Sequence, residues 1–286
     1  LRIGNVYLLM KKNEKAFETY SNALDLSIEI DNKLNIIACN NAIADYFSDQ
    51  ENYRKALDYY FVSNKRIKEL NAPDKLANNL YKIGSTHRVR GDLDSAITYI
   101  NLAIDIIRSL GNNFMVVPLY LDLGLYYVIK GDIDTGLELF NRSKSLAEEI
   151  NDSTYVAWYP EMFGFVNYKK NDFKSAASEF ENAIALLKNK DKELDLLPNT
   201  VYFLCLRELN REYDLPKIRK LIEEEGEGLG WTDSYYVYKL LGERLYLKDA
   251  YDKVTKLKSD LEPEVAEKFM NIPDVKEIIK EWKMNI

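Results

Sequence analysis

Apolar residues recur three and four positions apart along the chain, and short polar breaks interrupt them at regular intervals. This spacing is typical of amphipathic α-helices. In the segment 80–110, the helical pattern is broken once, at Gly91-Asp92. Because glycine suits the left-handed residue that follows a helix, and aspartate can cap the next one, this segment is predicted to form two helices joined by a short turn.

The same arrangement returns every 40 residues. Small residues occupy one column of this repeat, at Ala16, Ala56, Ala96, Gly136 and Ala176. A second column of small residues lies twelve positions earlier, at Gly4, Ala44, Gly84, Gly124 and Gly164. A third column holds large apolar residues, at Tyr20, Tyr60, Ile100, Phe140 and Phe180. Because small side chains let helices approach closely and large ones fill the space between pairs, the columns predict five stacked helix pairs.

Two turn signals punctuate the repeats. The turn within a pair is predicted at Glu51-Asn52, Gly91-Asp92, Gly131-Asp132 and Asn171-Asp172, with a weaker version at Lys11-Lys12-Asn13. The turn between pairs is predicted at Asp31, Asn71, Gly111, Asn151 and Asp191. These residue types tolerate a positive φ, so each is expected to end the second helix of its pair.

Three segments carry a family resemblance: Leu123-Gly124-x-x-Tyr127, Ala16-x-x-x-Tyr20-x-x-Ala23 and Ala176-x-x-x-Phe180-x-x-Ala183. They resemble the first-helix and second-helix motifs of the tetratricopeptide repeat (TPR) over about residues 1–190. The period departs from the family, being 40 rather than 34 residues, and such lengthened repeats are similar to those of bacterial signalling and regulatory proteins. The resemblance implies an all-α, right-handed α-α superhelix of about five regular and two degenerate helix pairs, with C-terminal capping helices.

The repeats are predicted to occupy residues 1–190, and the register decays after Leu187. Residues 191–286 are therefore predicted to form degenerate repeats and a C-terminal cap, continuous with the same solenoid. Helices are expected at 197–209, 216–225, 235–247, 250–261, 263–270 and 273–282. Since residue 1 is not methionine and the first repeat begins part-way, we expect an upstream domain to be missing from this sequence.

Composition narrows the classes of function. With 47% hydrophobic and 30% charged residues among 286, the chain is too apolar to be disordered, and it has no apolar run long enough to cross a membrane. A net charge of −7 disfavours nucleic acid as a partner. One histidine and two cysteines argue against a metal or cofactor site, and no catalytic constellation is visible, so an enzyme is not expected. The cytoplasm is the expected location.

In the TPR family the first helix of each pair lines a concave groove, which implies where a protein or peptide would bind. The implied groove residues are Asn41, Asn78, Tyr81, Arg88, Leu121, Leu125, Trp158, Phe165 and Tyr168. Asparagine amides can both donate to and accept from a peptide backbone, and apolar side chains can hold anchors. Alternatively, Leu121, Leu125 and Phe165 pack against the next helix or under the C-terminal segment.

The leading hypothesis is a non-catalytic protein- or peptide-binding module, the sensor or regulatory part of a larger signalling protein. The alternative is a structural scaffold or adaptor for a multi-protein assembly. A receptor for chaperone tails is not expected. The carboxylate clamp of such receptors has only Asn5, Asn41, Lys82 and Arg88 as candidates in this sequence, and Asp45 would repel a carboxylate.

Overall fold

A computed structural model describes residues 1–284 of the chain. Within them the chain forms sixteen α-helices and one short 3₁₀ turn, with no β-strand, as the apolar spacing predicts. Two compact units are formed, Leu1–Asn112 (unit 1) and Asn113–Ile286 (unit 2). The described residues are therefore all-α.

Unit 1 consists of three helix pairs in which each helix packs on the next along the chain. Its helices are α1 (Arg2–Leu9), α2 (Asn13–Glu29), α3 (Lys33–Asp49), α4 (Tyr53–Glu69), α5 (Pro73–Arg90) and α6 (Leu93–Ser109). Short polar turns between them bring successive helices side by side, so that each apolar face is buried by its neighbours.

The predicted turn chemistry is confirmed at both kinds of turn. Every between-pair residue has a positive φ, including 49° at Asn71 and 69° at Gly111. Within the pairs, Gly91 has a φ of 96°, and the side chain of Asp92 accepts a hydrogen bond from the backbone N–H of Ser95. The weaker first turn also forms, but its N-cap residue, Lys12, makes no capping hydrogen bond from its side chain.

The columns of small residues mark the closest approach of two helices, as predicted. A Cβ atom placed on Gly84 of α5 would lie 3.2 Å from the carbonyl oxygen of Ala96 on α6 and 3.1 Å from the side chain of Ile100. One placed on Gly4 would overlap the ring of Tyr20. The third column therefore fills the space that the small residues leave open.

Unit 2 begins with two further pairs and continues into less regular helices. Its elements are α7 (Asn113–Lys130), α8 (Ile133–Glu149), α9 (Trp158–Lys169), α10 (Phe173–Lys188), α11 (Leu196–Glu208), α12 (Leu215–Glu225), α13 (Trp231–Leu241), α14 (Arg244–Ser259), α15 (Pro263–Met270) and α16 (Pro273–Met284). α9 has only 12 residues because it starts late, two residues before Pro160. This late start suits proline, which fits the first turn of a helix better than its interior.

The sequence prediction was wrong around Gly242. The helix predicted over residues 235–247 does not form as one element. Instead α13 runs from Trp231 to Leu241, and Gly242 ends it with a φ of 72°. The extended backbone of Glu243 then leads into α14. Gly242 is thus a helix-ending glycine.

Candidate functional site

The first helices of unit 1 carry a polar, accessible surface, which we call the unit 1 surface. Asn78 and Arg88 are exposed, while Asn41 and Tyr81 are half-buried. Sequence reasoning missed Asn79, which is almost fully buried and donates a hydrogen bond from Nδ2 to Oδ1 of Asn41 at 3.2 Å. This contact between α3 and α5 fixes the orientation of the Asn41 amide.

A compact charge network neutralises the centre of the unit 1 surface. The ammonium of Lys82 lies 2.6 and 2.7 Å from the two carboxylate oxygens of Asp45, and the hydroxyl of Tyr60 donates to the same carboxylate. Burial, reinforced by Asp45, raises the pKa of the Tyr60 hydroxyl far above its ordinary value. Because the ammonium of Lys82 is already paired with Asp45, it is not available to bind the carboxylate of a ligand, as a carboxylate clamp requires.

His87 of α5 is buried where it packs against α6. It is 8% exposed, and its ring stacks on Tyr99 with the ring centres 5.4 Å apart. Its Nδ1 lies 3.2 Å from the carboxylate of Asp92. Burial alone would raise the pKa of Asp92, but contacts from His87 and Ser95 outweigh it and bring that pKa to about 2. The arrangement has a packing role in α5 and α6.

In unit 2, most of the predicted apolar contact residues are packed by the chain itself. Leu121 is 4% exposed and lies in a core cluster with Val117 and Val128. Leu125 and Phe165 are half-buried and pack against the same cluster. The sequence had left this packing as an alternative to an open apolar groove.

Three aromatic residues complete the predicted set in unit 2, and the structure brings two of them together. Phe165 and Tyr168 each lie 5.9 Å, ring centre to ring centre, from Tyr236 of α13. Trp158 stands apart from them. It is 51% exposed and makes an edge contact with Tyr155 at 6.0 Å.

Sequence reasoning also missed a basic and aromatic cluster beside Tyr168. The ammonium of Lys239 lies 5.5–5.7 Å from the ring centres of Tyr168, Tyr235 and Tyr236. Such cation–π contacts stabilise a partly buried ammonium. The sequence feature that could have indicated this cluster is the Tyr235-Tyr236 doublet, and it lies where the repeat register is lost.

The carboxyl group of Glu161 has a pKa that is raised into the physiological pH range. It lies half-buried on α9, four residues before Phe165. Burial, aided by the nearby Asp195, raises the pKa of its carboxyl to about 7. Near neutral pH this group is therefore divided between its neutral and charged forms.

Replacing Glu161 with glutamine is expected to remove a pH-dependent loss of stability. Because the folded-state pKa lies above the ordinary value of 4.5, the folded chain binds more protons between these two values than the unfolded chain does. The free energy of unfolding of the wild type therefore falls as pH rises through this window. The free energy of unfolding of Glu161→Gln, relative to that of the wild type, should therefore rise by up to about 3 kcal/mol between roughly pH 4 and pH 8.

Urea unfolding at several pH values, followed by tryptophan fluorescence, measures this difference, because Trp158, Trp231 and Trp282 all lie in unit 2. Glu149→Gln, an exposed carboxylate on α8, is the matched control and should follow the wild type at every pH. Parallel curves for the wild type and Glu161→Gln would contradict the assignment of a raised pKa to this residue.

Among residues 1–284, no three or more histidine, cysteine, aspartate or glutamate side chains are grouped so as to hold a metal ion. In the same part of the chain, no helix has both the length and the apolar character needed to span a membrane.

Comparison with known proteins gives one family match. Residues 1–60 match the model of the tetratricopeptide repeat. No curated protein sequence matches the chain. The family match thus covers the first helix pair and most of the next.

Solved structures match over much more of the chain. The Rap conjugation gene regulator of plasmid pLS20, in complex with the Phr* peptide, aligns with a TM-score of 0.64 and 16% identity over 90% of this chain and 76% of that chain. A Rap protein complexed with competence and sporulation factor gives 0.59 and 16%, over 92% and 81%. BtubC (BKLC) from P. vanneervenii gives 0.59 and 17%, over 74% and 89%.

At such low identities these likenesses establish the fold. The repeat columns, the confirmed turns and the family match in residues 1–60 agree with that fold. The chain therefore has the fold of TPR-like helical repeat proteins.

Proposed function

We propose that the chain is a non-catalytic protein- or peptide-binding module whose ligand lies on the first helices of its repeats. The main support is the accessible polar row of unit 1, where Asn78 and Arg88 are exposed and Asn41 is oriented by Asn79. Amide side chains can pair with both the N–H and the C=O groups of an extended backbone. A site of this kind, with few anchors, is expected to bind in the micromolar range, roughly −8 kcal/mol.

The similar structures support the same function. Two of them are Rap proteins, one in complex with the Phr* peptide and one with competence and sporulation factor. We propose by analogy that this chain takes a peptide or a protein segment as its ligand. We further propose that it is the sensor or regulatory part of a larger cytoplasmic signalling protein.

Unit 2 contributes a second proposed contact, at Trp158. A half-exposed tryptophan on a first helix is an anchor type that recurs at protein interfaces. Phe165 and Tyr168 are also proposed contacts in unit 2, although Tyr236 packs against both rings.

Site-specific photo-crosslinking tests the proposal. A benzophenone amino acid is placed at Asn78 on α5, in the full chain, and expressed in the cells that make the protein. A discrete crosslinked product is expected from this position. The matched control is Thr98, an exposed residue on the second helix α6, from which no such product is expected. The same probe at Trp158 tests unit 2 separately.

Products from Thr98 but not from Asn78 would overturn the first-helix site. They would favour the alternative, a scaffold or adaptor that uses other surfaces to hold a multi-protein assembly. One observation supports this alternative: Leu121 is buried, and Leu125 and Phe165 pack against the chain's own core in unit 2.

A further inference from the structure

The last helix of the chain returns to the first helices of unit 2. The ammonium of Lys169, at the end of α9, lies 2.6 and 2.7 Å from the two carboxylate oxygens of Asp274 in the first turn of α16. These side chains are only 16% and 14% exposed. α16 also contacts α7, and a Cβ atom placed on Gly131, in the turn after α7, would lie 3.0 Å from Pro273.

The same carboxylate reaches the aromatic cover of the predicted contact residues. The hydroxyl of Tyr236 donates to Oδ2 of Asp274 at 3.1 Å. Tyr236 in turn packs against Phe165 and Tyr168. Asp274 thus joins α16 to α9 through Lys169 and to α13 through Tyr236, and both contacts depend on a single carboxylate.

Two more acidic residues of α16 strengthen the contact with α13. The hydroxyl oxygen of Tyr235 lies 2.9 Å from a carboxylate oxygen of Glu277 and 3.0 Å from one of Glu281, and its single proton can be donated to either. Glu277 also lies 4.0 Å from the ammonium of Lys239. The acidic residues of α16 therefore meet a basic and aromatic surface made by α9 and α13, while Val275 and Ile278 are fully buried.

The polar part of this contact to α9 depends on one carboxylate, beside the packing of α16 on α14. Removing one member of a largely buried ion pair leaves the other charge without compensation, which is strongly unfavourable. Loss of the Asp274 charge would strand Lys169 and weaken the acceptor that Tyr236 uses. The remaining acidic contacts are more exposed, since Glu277 is 55% exposed in its pair with Lys239.

We propose that α16 is a latch over the first-helix surface of unit 2, held by Asp274. In the latched state Tyr236 covers Phe165 and Tyr168. In the released state Tyr236 of α13 loses the Asp274 acceptor, and its ring can turn away from Phe165 and Tyr168 to admit a guest segment. The regulatory meaning of the latch rests on the proposed binding function, but the latch itself is a property of the chain alone.

Hydrogen exchange on the full chain tests whether Asp274 holds α16. In Asp274→Asn, backbone exchange of residues 273–284 is expected to accelerate at least about tenfold, with α8 and α10 unchanged. Lys169→Gln should have the same effect. The matched control is Lys170→Gln, because neighbouring Lys170 pairs with Asp134, which is 90% exposed. The control should exchange like the wild type.

Thiol labelling tests whether release uncovers the contact residues. Labelling of Tyr168→Cys by a small aromatic disulfide reagent is compared with and without Asp274→Asn. The native Cys39 and Cys205 are buried, and burial raises the pKa of both thiols, that of Cys205 to about 12, so both should react slowly. Labelling at position 168 is expected to accelerate at least about tenfold on release.

Unchanged exchange of residues 273–284 in Asp274→Asn, or acceleration spread evenly over all helices of unit 2, would overturn the latch. So would labelling at position 168 that does not respond to the substitution. Neither measurement uses a partner. The latch can therefore fail while crosslinking at Asn78 succeeds, and the reverse outcome is equally distinguishable.

Discussion

Replacing Phe140 with alanine is expected to lower the free energy of unfolding of unit 2 by about 3–5 kcal/mol. Phe140 is 1% exposed and occupies the large-residue column of the fourth helix pair. Its ring makes an edge contact with Phe163 at 6.5 Å and fills the space beside Gly124, where an added Cβ would come within 2.6 Å of it. Alanine would lose this apolar burial and leave a cavity between α7, α8 and α9.

Urea unfolding followed by tryptophan fluorescence measures this loss, since all three tryptophans belong to unit 2. Phe114→Ala is the matched control. Phe114 is also in unit 2, but its side chain is 58% exposed, so its removal should change stability by no more than about 0.5 kcal/mol. Equal effects of the two substitutions would show that the large-residue column does not carry the packing.

Gly136→Ala is expected to lower the stability of unit 2 by about 2 kcal/mol, against the usual preference of helices for alanine. A Cβ atom at this position would lie 2.8 Å from the carbonyl oxygen of Gly124 and would overlap a methyl group of Val128. The side chain of Val128 lies in a packed core and has little room to rotate. The carbonyl group of Gly124 cannot move without separating α7 from α8. The steric cost should therefore exceed the gain in helix propensity of about 1 kcal/mol.

The same fluorescence-detected unfolding tests this prediction, with Gly228→Ala as the control. No atom lies within 4 Å of a Cβ built on Gly228, and its φ is not positive. Alanine there should leave stability unchanged or raise it by up to about 1 kcal/mol, by restricting the unfolded chain. A stabilising effect of Gly136→Ala would mean that α7 and α8 are not in close contact.

The sequence by itself determined the repeating helix pairs and their turns. Helix caps and left-handed turn residues act over a few positions, so Asp92 and Asn71 could be assigned their roles before any fold was known. The small and large columns were equally legible, because each repeat places Gly84 opposite Ala96 in the same way as its neighbours. Prediction failed at Gly242, where the register had decayed and the same glycine suited either a helix contact or a helix end.

The sequence predicted only part of the proposed contact surface. First-helix columns identify which side of a helix a residue occupies, and they located Asn78 and Trp158, which are exposed. They could not reveal that Leu121 lies in the core or that Tyr236 covers Phe165 and Tyr168. Burial at these positions depends on helices outside the regular repeat.

Only the tertiary structure decided where the C-terminal helix lies. Lys169 and Asp274 are 105 residues apart, and no periodic signal connects them. Repeat spacing encodes contacts between successive helices, whereas the return of α16 to α7 and α9 depends on the accumulated geometry of every helix between them. For that reason the sequence could predict a repeat surface, but not which part of it the chain covers with its own last helix.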